Sequence, residues 1–435
     1  MFSVFKNAWK LQDLRKKLLF TALILLLFRL GCNITVPFLD VEKMGQLFGE
    51  FTEKGTIFSL WNAMAGGAME QAGMFSLSIS PYINASIIMQ LLAVAIPPLE
   101  RKMKEDPEGG RKLMERCTRY LTVVFSFLLG FGYYTILANQ PNYQVVSENA
   151  GVFGALVIVF SFAVGASIVM WMGEQINSYG IGNGISMILF AGILAGAPGT
   201  ITYLIQMATQ INKWYWAVNA ALLVGIILMI GFVVFVTNGE RRIPVQYAKQ
   251  VKGRKMYGGQ NTNIPLKVNM VGVLPIIFAQ SFVMLPATIL NFIPAKHQPG
   301  WLTAIVDTLN VGGWVYPVLM FLLIIFFSYF YTVISFNPVE VANNLKKNGG
   351  FIMGIRPGKP TADFITKSLN RVTLIGAIFL GLISALPNII AMFNRSLSVV
   401  AIGGSTLLIV VGVALETVKT LESQMLMRHY KGFLE

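Results

Sequence analysis

Charge is what this sequence has least of. Charged residues fill 12% of its 435 positions, about half the share of roughly 25% found in an ordinary soluble domain. The chain is also 55% hydrophobic, with a mean hydropathy of +0.63. Dissolved in water it would leave large apolar patches uncovered, which excludes a single-domain soluble enzyme. Cysteine is scarce too. Cys32 and Cys117 lie far apart and, on the span assignment below, near opposite membrane faces, so no disulfide framework or cysteine metal site is available. The only histidines are His297 and His429. No GxxxxGK[ST] phosphate loop and no HExxH occurs, and no Ser/His/Asp set can be assembled, so no cofactor and no catalytic chemistry are expected.

What is present in abundance is long apolar runs. A bilayer core about 30 Å thick needs around 20 apolar residues in a helix. Ten stretches qualify: 18–36, 75–96, 120–138, 152–172, 185–205, 216–236, 271–292, 315–336, 372–392 and 399–417. The first is too long for a signal peptide, and no small-x-small cleavage pattern follows it. Net charge is +14, and the excess is lopsided along the chain. Of the 34 Lys and Arg, 28 fall in the termini and one alternate set of connections, and 5 fall in the other set. Arg29, inside the first span, is the remaining one. The positive-inside rule then places both termini and the long basic loops in the cytoplasm.

Ten spans divide into five and five, and an odd half re-enters the membrane inverted relative to its twin. The halves are expected at 18–206 and 216–417, joined by an external connection at 207–215, with an N-terminal cytoplasmic segment 1–17 and a tail 418–435. Pro81 interrupts the second span; Pro275 and Pro286 interrupt the seventh, its counterpart. Ten helices accumulated without internal symmetry remain the alternative. Residues 57–69 are apolar but too short to cross. Ile57, Leu60, Trp61 and Met64 follow helical spacing, and Gly66-Gly67 then break it. The segment is either a re-entrant half-helix hinged on glycine or an amphipathic helix in the outer headgroups.

Charged groups are nearly absent from the spans apart from Arg29 and the terminal Glu174 and Glu416, whereas ion-coupled transporters and pumps place carboxylates or histidines at mid-membrane. Arg29 has no evident partner in sequence, although an arginine at such depth can pair with helix-end carbonyls. Asn84, Gln90, Gln280 and Ser281 are uncharged polar groups in the two proline-containing spans; as interhelical glue they would need no ligand. The polar mass lies in two basic loops, 239–267 and 337–371, the second containing a turn that presents Arg356 at its tip. Such loops either hold orientation against anionic lipid or dock an acidic partner protein or RNA. Phe2, Phe5 and Trp9 with Lys6 and Lys10 form an amphipathic helix suited to the inner membrane surface.

Four strings occur in order: SPYINASIIMQLL (80–92), GIGNGIS (180–186), ERRIPVQYAK (240–249) and GGFIMGIRPG (349–358). With their spacing they resemble the SecY family, the central subunit of the bacterial protein-conducting channel, and the match runs over essentially the whole chain. The resemblance implies an all-α polytopic protein of the bacterial plasma membrane, with two inverted five-helix halves around a central pore. It places an aliphatic pore ring on Ile79, Ile83, Ile185, Leu189, Ile277 and Ile409, and a plug on 57–71. It implies a lateral gate between spans 2–3 and 7–8, where Asn84, Gln90, Gln280 and Ser281 lie. The docking loops carry Arg241, Arg242 and Arg356. The implied partners are SecE and SecG, the SecA motor ATPase or a translating ribosome, unfolded precursor polypeptides with their signal sequences, and anionic lipid. Two departures stand out: Leu189 replaces a common isoleucine, and Ser80 sits where a larger apolar residue is expected. A secondary solute transporter, which ten spans and an inverted repeat also allow, is the competing function.

Overall fold

The computed structural model describes residues 2–53, 57–140, 143–147, 150–206, 209, 214–247, 250–252, 255–257, 261–270, 272–291, 293, 298–309, 313–393 and 398–431. The chain is mostly helical. Helix α1 (Phe2–Lys10) is separated from α2 (Gln12–Cys32) by Leu11 in extended conformation. The expected segment 1–17 is therefore two elements. Ala8 and Leu14 are buried against Ile181 and Leu421, near the end of the last helix, while Phe5 and Trp9 stay exposed.

Next comes α3 (Val41–Glu53), a helix not anticipated from the sequence. Its buried Met44, Leu47 and Phe48 recur at helical spacing. After it come α4 (Ile57–Met64), α5 (Ser80–Ala95), α6 (Pro97–Glu105), α7 (Pro107–Ala138), α8 (Gly151–Tyr179) and α9 (Gly184–Gln206). Most of the expected connection 207–215 lies outside the described residues, as does His297. The second part comprises α10 (Trp214–Thr237), β1 (Glu240–Tyr247), β2 (Gln250–Lys252), β3 (Lys255–Tyr257), β4 (Asn261–Lys267), α11 (Leu274–Asn291), α12 (Gly300–Thr308), α13 (Val315–Ser335), α14 (Pro338–Lys347), β5 (Gly350–Ile352), α15 (Lys359–Phe393) and α16 (Ser398–Lys431).

Each of the ten apolar stretches contains a helix. By length and composition, six helices among the described residues can cross a membrane, or seven when the pair Ser80–Ala95 and Pro97–Met103, bent by 92°, counts as one span. The apolar part of α11, Leu274–Ala287, is shorter. Pro81 does not interrupt its span. It sits in the first turn of α5, where its missing N–H leaves no helical bond unmade. Pro275 likewise falls in the first turn of α11, and of these three prolines Pro286 alone lies in a helix interior.

The fold is not purely α. The two basic loops meet in a three-stranded antiparallel sheet of order β4-β1-β5, with Ile243 opposite Ile264 and Val245 opposite both Thr262 and Ile352. Strands β2 and β3 form a separate hairpin at the tip. The ERRIPVQY run alternates, burying Ile243 and Val245 while Arg242 and Pro244 face out, and that period of two is a strand pattern. Ile243, Val245, Leu266 and Ile352 close over Leu345, Ile365 and Leu369, so the sheet has its own small core on α14 and α15.

This core predicts a separable effect. Ile243→Asp would bury an unpaired carboxylate and cost about 3 kcal/mol or more. Limited proteolysis should then cut faster within 239–267, with the helical body still resistant.

Candidate functional site

Helices before residue 207 meet helices after 213 along two seams that matter here. On one, α9 packs against α16; on the other, α11 packs against α5 and α7. The six aliphatic residues singled out in the sequence lie on helices that form these seams. Ile79 caps α5 and Ile83 sits in its first turn; Ile185 and Leu189 are on α9, Ile277 on α11 and Ile409 on α16. Five are buried to 2% exposure or less, and Ile185 is half-buried. All six belong to or pack on one apolar cluster. The outer faces of the same helices carry other residues, such as Leu92, Leu194 and Phe282, which are exposed. Ser80 is only half-buried, so it stands beside the fully buried isoleucines rather than among them.

The short segment is inside the protein, not in the headgroups. Leu60, Trp61 and Met64 of α4 are buried in that same cluster, as are Ala65, Ala68 and Met69 beyond the helix. The side chain of Ile57 lies outside the described residues. Helix α4 ends as its sequence suggests. Gly67 N–H donates to Asn62 O at 2.9 Å and Gly66 N–H to Ala63 O at 3.2 Å, with Gly66 at φ +70°. This paired arrangement around a left-handed residue is a helix stop that favours glycine.

The chain then returns through irregular backbone that the protein satisfies. Val36 N–H donates to Ala72 O at 2.9 Å and Met74 N–H to Ile34 O at 2.7 Å, which ties the return to the end of α2. Ser76 Oγ donates to Gly73 O at 2.6 Å, and Tyr133 of α7 to Met69 O at 3.5 Å. Gly73 lies so close to α2 that a Cβ there would sit 2.2 Å from Cys32 O. Arg29 has a partner after all: its Nη1 donates to Gly66 O at 2.7 Å.

The polar residues in the two proline-containing spans divide. The Tyr331 hydroxyl of α13 donates to Gln90 Oε1, and Gln90 Nε2 donates to Ser86 at 3.0 Å. A polar bond thus links α5 to α13 beside the α5/α11 seam, supported by Phe278 of α11 packing on Tyr331 with ring centroids 4.9 Å apart. Sequence reasoning missed Tyr331; its signal was a hydroxyl inside the aromatic run FFSYFY. Gln280 is 1% exposed, and neither of its amide atoms has a hydrogen-bond partner among the described residues. Ser281 is buried and Asn84 half-buried, and neither joins the Gln90–Tyr331 bond.

At the basic end, Arg356 is exposed in a turn between Gly354 and Gly358, both with positive φ. Thr361 Oγ1 fixes that turn by donating to Arg356 O at 2.8 Å. Arg241 is exposed, whereas Arg242 is engaged by Glu240 at 2.6 Å on its own strand. Glu174 pairs with Arg119 at 2.7 Å, joining the ends of α7 and α8. Lys419 donates to Thr237 O at 3.3 Å; burial, then the charge of Lys267, lowers its pKa. Among the described residues no group of acidic, histidine or cysteine side chains could hold a metal ion.

The comparisons agree with this geometry. The SecY family model matches residues 73–418. The protein translocase subunit SecY of Streptomyces coelicolor is 43% identical over 443 residues, covering 100% of both chains. Two solved structures share the fold: one of a protein-conducting channel, with TM-score 0.63, 19% identity, and 94% of this chain and 92% of that chain covered; and Sec61 in a canine ribosome–channel complex, with TM-score 0.57, 17% identity and the same coverage. Two seams around one apolar cluster, the four sequence strings and these full-length matches lead to one conclusion: the chain belongs to the SecY family.

Proposed function

We propose that this protein is the channel subunit of a plasma-membrane translocase, passing unfolded polypeptides across the bilayer and releasing apolar segments sideways into lipid. The observation that carries the reading is that Ile79, Ile83, Ile185, Leu189, Ile277 and Ile409, from four seam-forming helices, all pack in the apolar cluster that also holds α4. Those six form the pore ring, and 57–71, including Ile57, Leu60, Trp61, Met64, Gly66 and Gly67, is the plug. Ten spans in two inverted halves cross the membrane, with both termini in the cytoplasm.

The mechanism follows from what a transported chain is. Every passing side chain differs, so a pore built on directed hydrogen bonds would stall. Flexible aliphatics close around any sequence and resist ions by dewetting when the ring is empty. The lateral gate is the seam where α5 and α7 meet α11 and α13. There, separating the halves breaks the Gln90–Tyr331 bond and offers Gln280 and Ser281 to the arriving segment. Each Leu, Ile, Phe or Val favours lipid by about 0.3–0.6 kcal/mol, and a central Arg, Lys or Asp opposes it by about 2.5–3.5 kcal/mol. A 20-residue apolar segment leaves sideways, and a polar chain continues through.

Work is supplied from outside the chain, by the SecA motor ATPase or a translating ribosome docking on the β4-β1-β5 sheet and the Arg356 turn. Arg241 and Arg356 present exposed charge there; Arg242, held by Glu240, contributes less. SecE and SecG cover lipid-facing helices, and the basic N-terminal helix rests on anionic lipid. A secondary solute transporter would leave the long basic sheet without a task, and the full-length relatives are translocase subunits.

Reconstitution into vesicles with motor, ATP and a precursor protein decides the matter: protected precursor is expected, and ion-driven solute uptake without any precursor transport would refute the channel. Three variants probe its parts. Ile409→Asn should pass precursors with defective signal sequences about tenfold better, equivalent to about 1.4 kcal/mol of eased opening; unchanged discrimination removes Ile409 from the ring. Tyr331→Phe should ease the gate by about 1 kcal/mol, the worth of one such bond, read as stronger cross-linking of a signal sequence to α5 and α11. Arg356→Glu should lower motor-driven export at least tenfold, about 1.4 kcal/mol or more of lost docking, while leaving the protein folded.

A further inference from the structure

A charged side chain in the first span is unexpected in a protein that otherwise keeps charge out of its spans, and its environment is specific. Arg29 lies three residues before the end of α2, half-buried. Its Nη1 donates to Gly66 O at 2.7 Å, immediately past the end of α4. Helix C-termini carry unpaired carbonyls and a partial negative charge, which a cation satisfies on both counts. One turn later on α2, Cys32 Sγ lies 3.8 Å from Ala65 O, the neighbouring carbonyl.

The opposite side of this helix end is closed by α9. A Cβ on Gly192 would sit 2.6 Å from Met64 O, and a Cβ on Gly66 would sit 3.1 Å from Gly192 Cα and 3.0 Å from the Arg29 guanidinium. The end of the segment is thus held between a cation on α2 and a bare backbone surface on α9. Tyr133 of α7, which donates to Met69 O, also belongs to the first half. On the other side α4 packs on α16, where Leu408 and Ile409 are buried beside the polar Thr406.

We propose that Arg29 is the tether that keeps the plug seated, and that opening the channel requires the Arg29–Gly66 bond to break while the anchor stays with the first half. The inference rests on 57–71 being the plug. It goes beyond that reading by assigning the closed state to one residue outside the segment and to a glycine seat at position 192. A glutamine cannot replace Arg29, since it lacks the charge and the reach; a lysine keeps the charge and, in its ammonium, the donors that a carbonyl needs.

The test uses the assembled translocase in vesicles, measuring resting ion leak, together with Cys32 labelling by a small polar thiol reagent in a Cys117→Ser background. Arg29→Gln should raise the leak several-fold and speed Cys32 labelling at least tenfold, because Cys32 is covered by the seated segment. Arg29→Lys should restore most of the seal. A tight Arg29→Gln channel with Cys32 still protected overturns the proposal. Should that variant not accumulate, Gly192→Val, which crowds Met64 O and leaves Arg29 intact, carries the same expectation, and a tight seal there overturns it too. Deleting 57–71 in parallel separates the two readings. If the deletion leaks and Arg29→Gln does not, the plug stands and the tether falls; if the deletion is tight, both fall.

Discussion

The constraint on which this structure turns is that backbone at membrane depth has no water to pair with. Ahead of α5 the chain passes into the protein's apolar cluster through a short helix and an irregular return. Every such N–H and C=O left without a partner would cost on the order of kilocalories per mole. The sequence meets the demand locally. The Gly66 stop closes the end of α4, Arg29 takes up Gly66 O, the end of α2 pairs with Ala72 and Met74, and Ser76 folds back on Gly73. The segment can therefore be buried without being continuous with a span, and its attachments are a small number of polar bonds set in apolar packing.

The apolar cluster obeys the complementary rule. Packing of residues such as Ile79, Ile83, Leu189, Ile277 and Ile409 within it is non-directional, so in the proposed pore ring they can part around another chain without stranding a hydrogen-bonding group. Directional interactions are kept elsewhere. The Gln90–Tyr331 bond links α5 to α13 beside one seam, the Arg119–Glu174 pair joins two helices of the same half, and the sheet of the basic loops is fastened by its own ladder and core. Surfaces that must part are greasy, with few polar bonds across them; surfaces that must hold are tied.

Much of this was legible in the residues. The apolar runs all contain helices, the break at Gly66-Gly67 ends α4, and Arg356 sits at an exposed turn. What escaped did so for identifiable reasons. Helix α3 was hidden because its stripe of Met44, Leu47 and Phe48 is interrupted by Gly45 and Gly49, which lower helix propensity. The sheet was hidden because Arg241, Arg242 and Pro244 make β1 look like a basic loop, although the alternation of Ile243 and Val245 marks a strand. Pro81 and Pro275 looked like interruptions because proline position has meaning only once the helix start is known. Tyr331 could not be singled out among the aromatics of its run, because its partner lies 241 residues away.

The sequence alone determined that this is a membrane protein, that its basic residues gather in alternate connections, and that 57–69 is too short to span. These follow from composition, charge asymmetry and length, quantities that need no partner. Only the tertiary structure decided that this segment is buried rather than lying at the surface. The same is true of the pairing of Arg29 with the end of α4, and of the two basic loops sharing one sheet. Each of these depends on contacts between residues distant in the chain, and periodicity along one segment carries no information about which other segment will cover it.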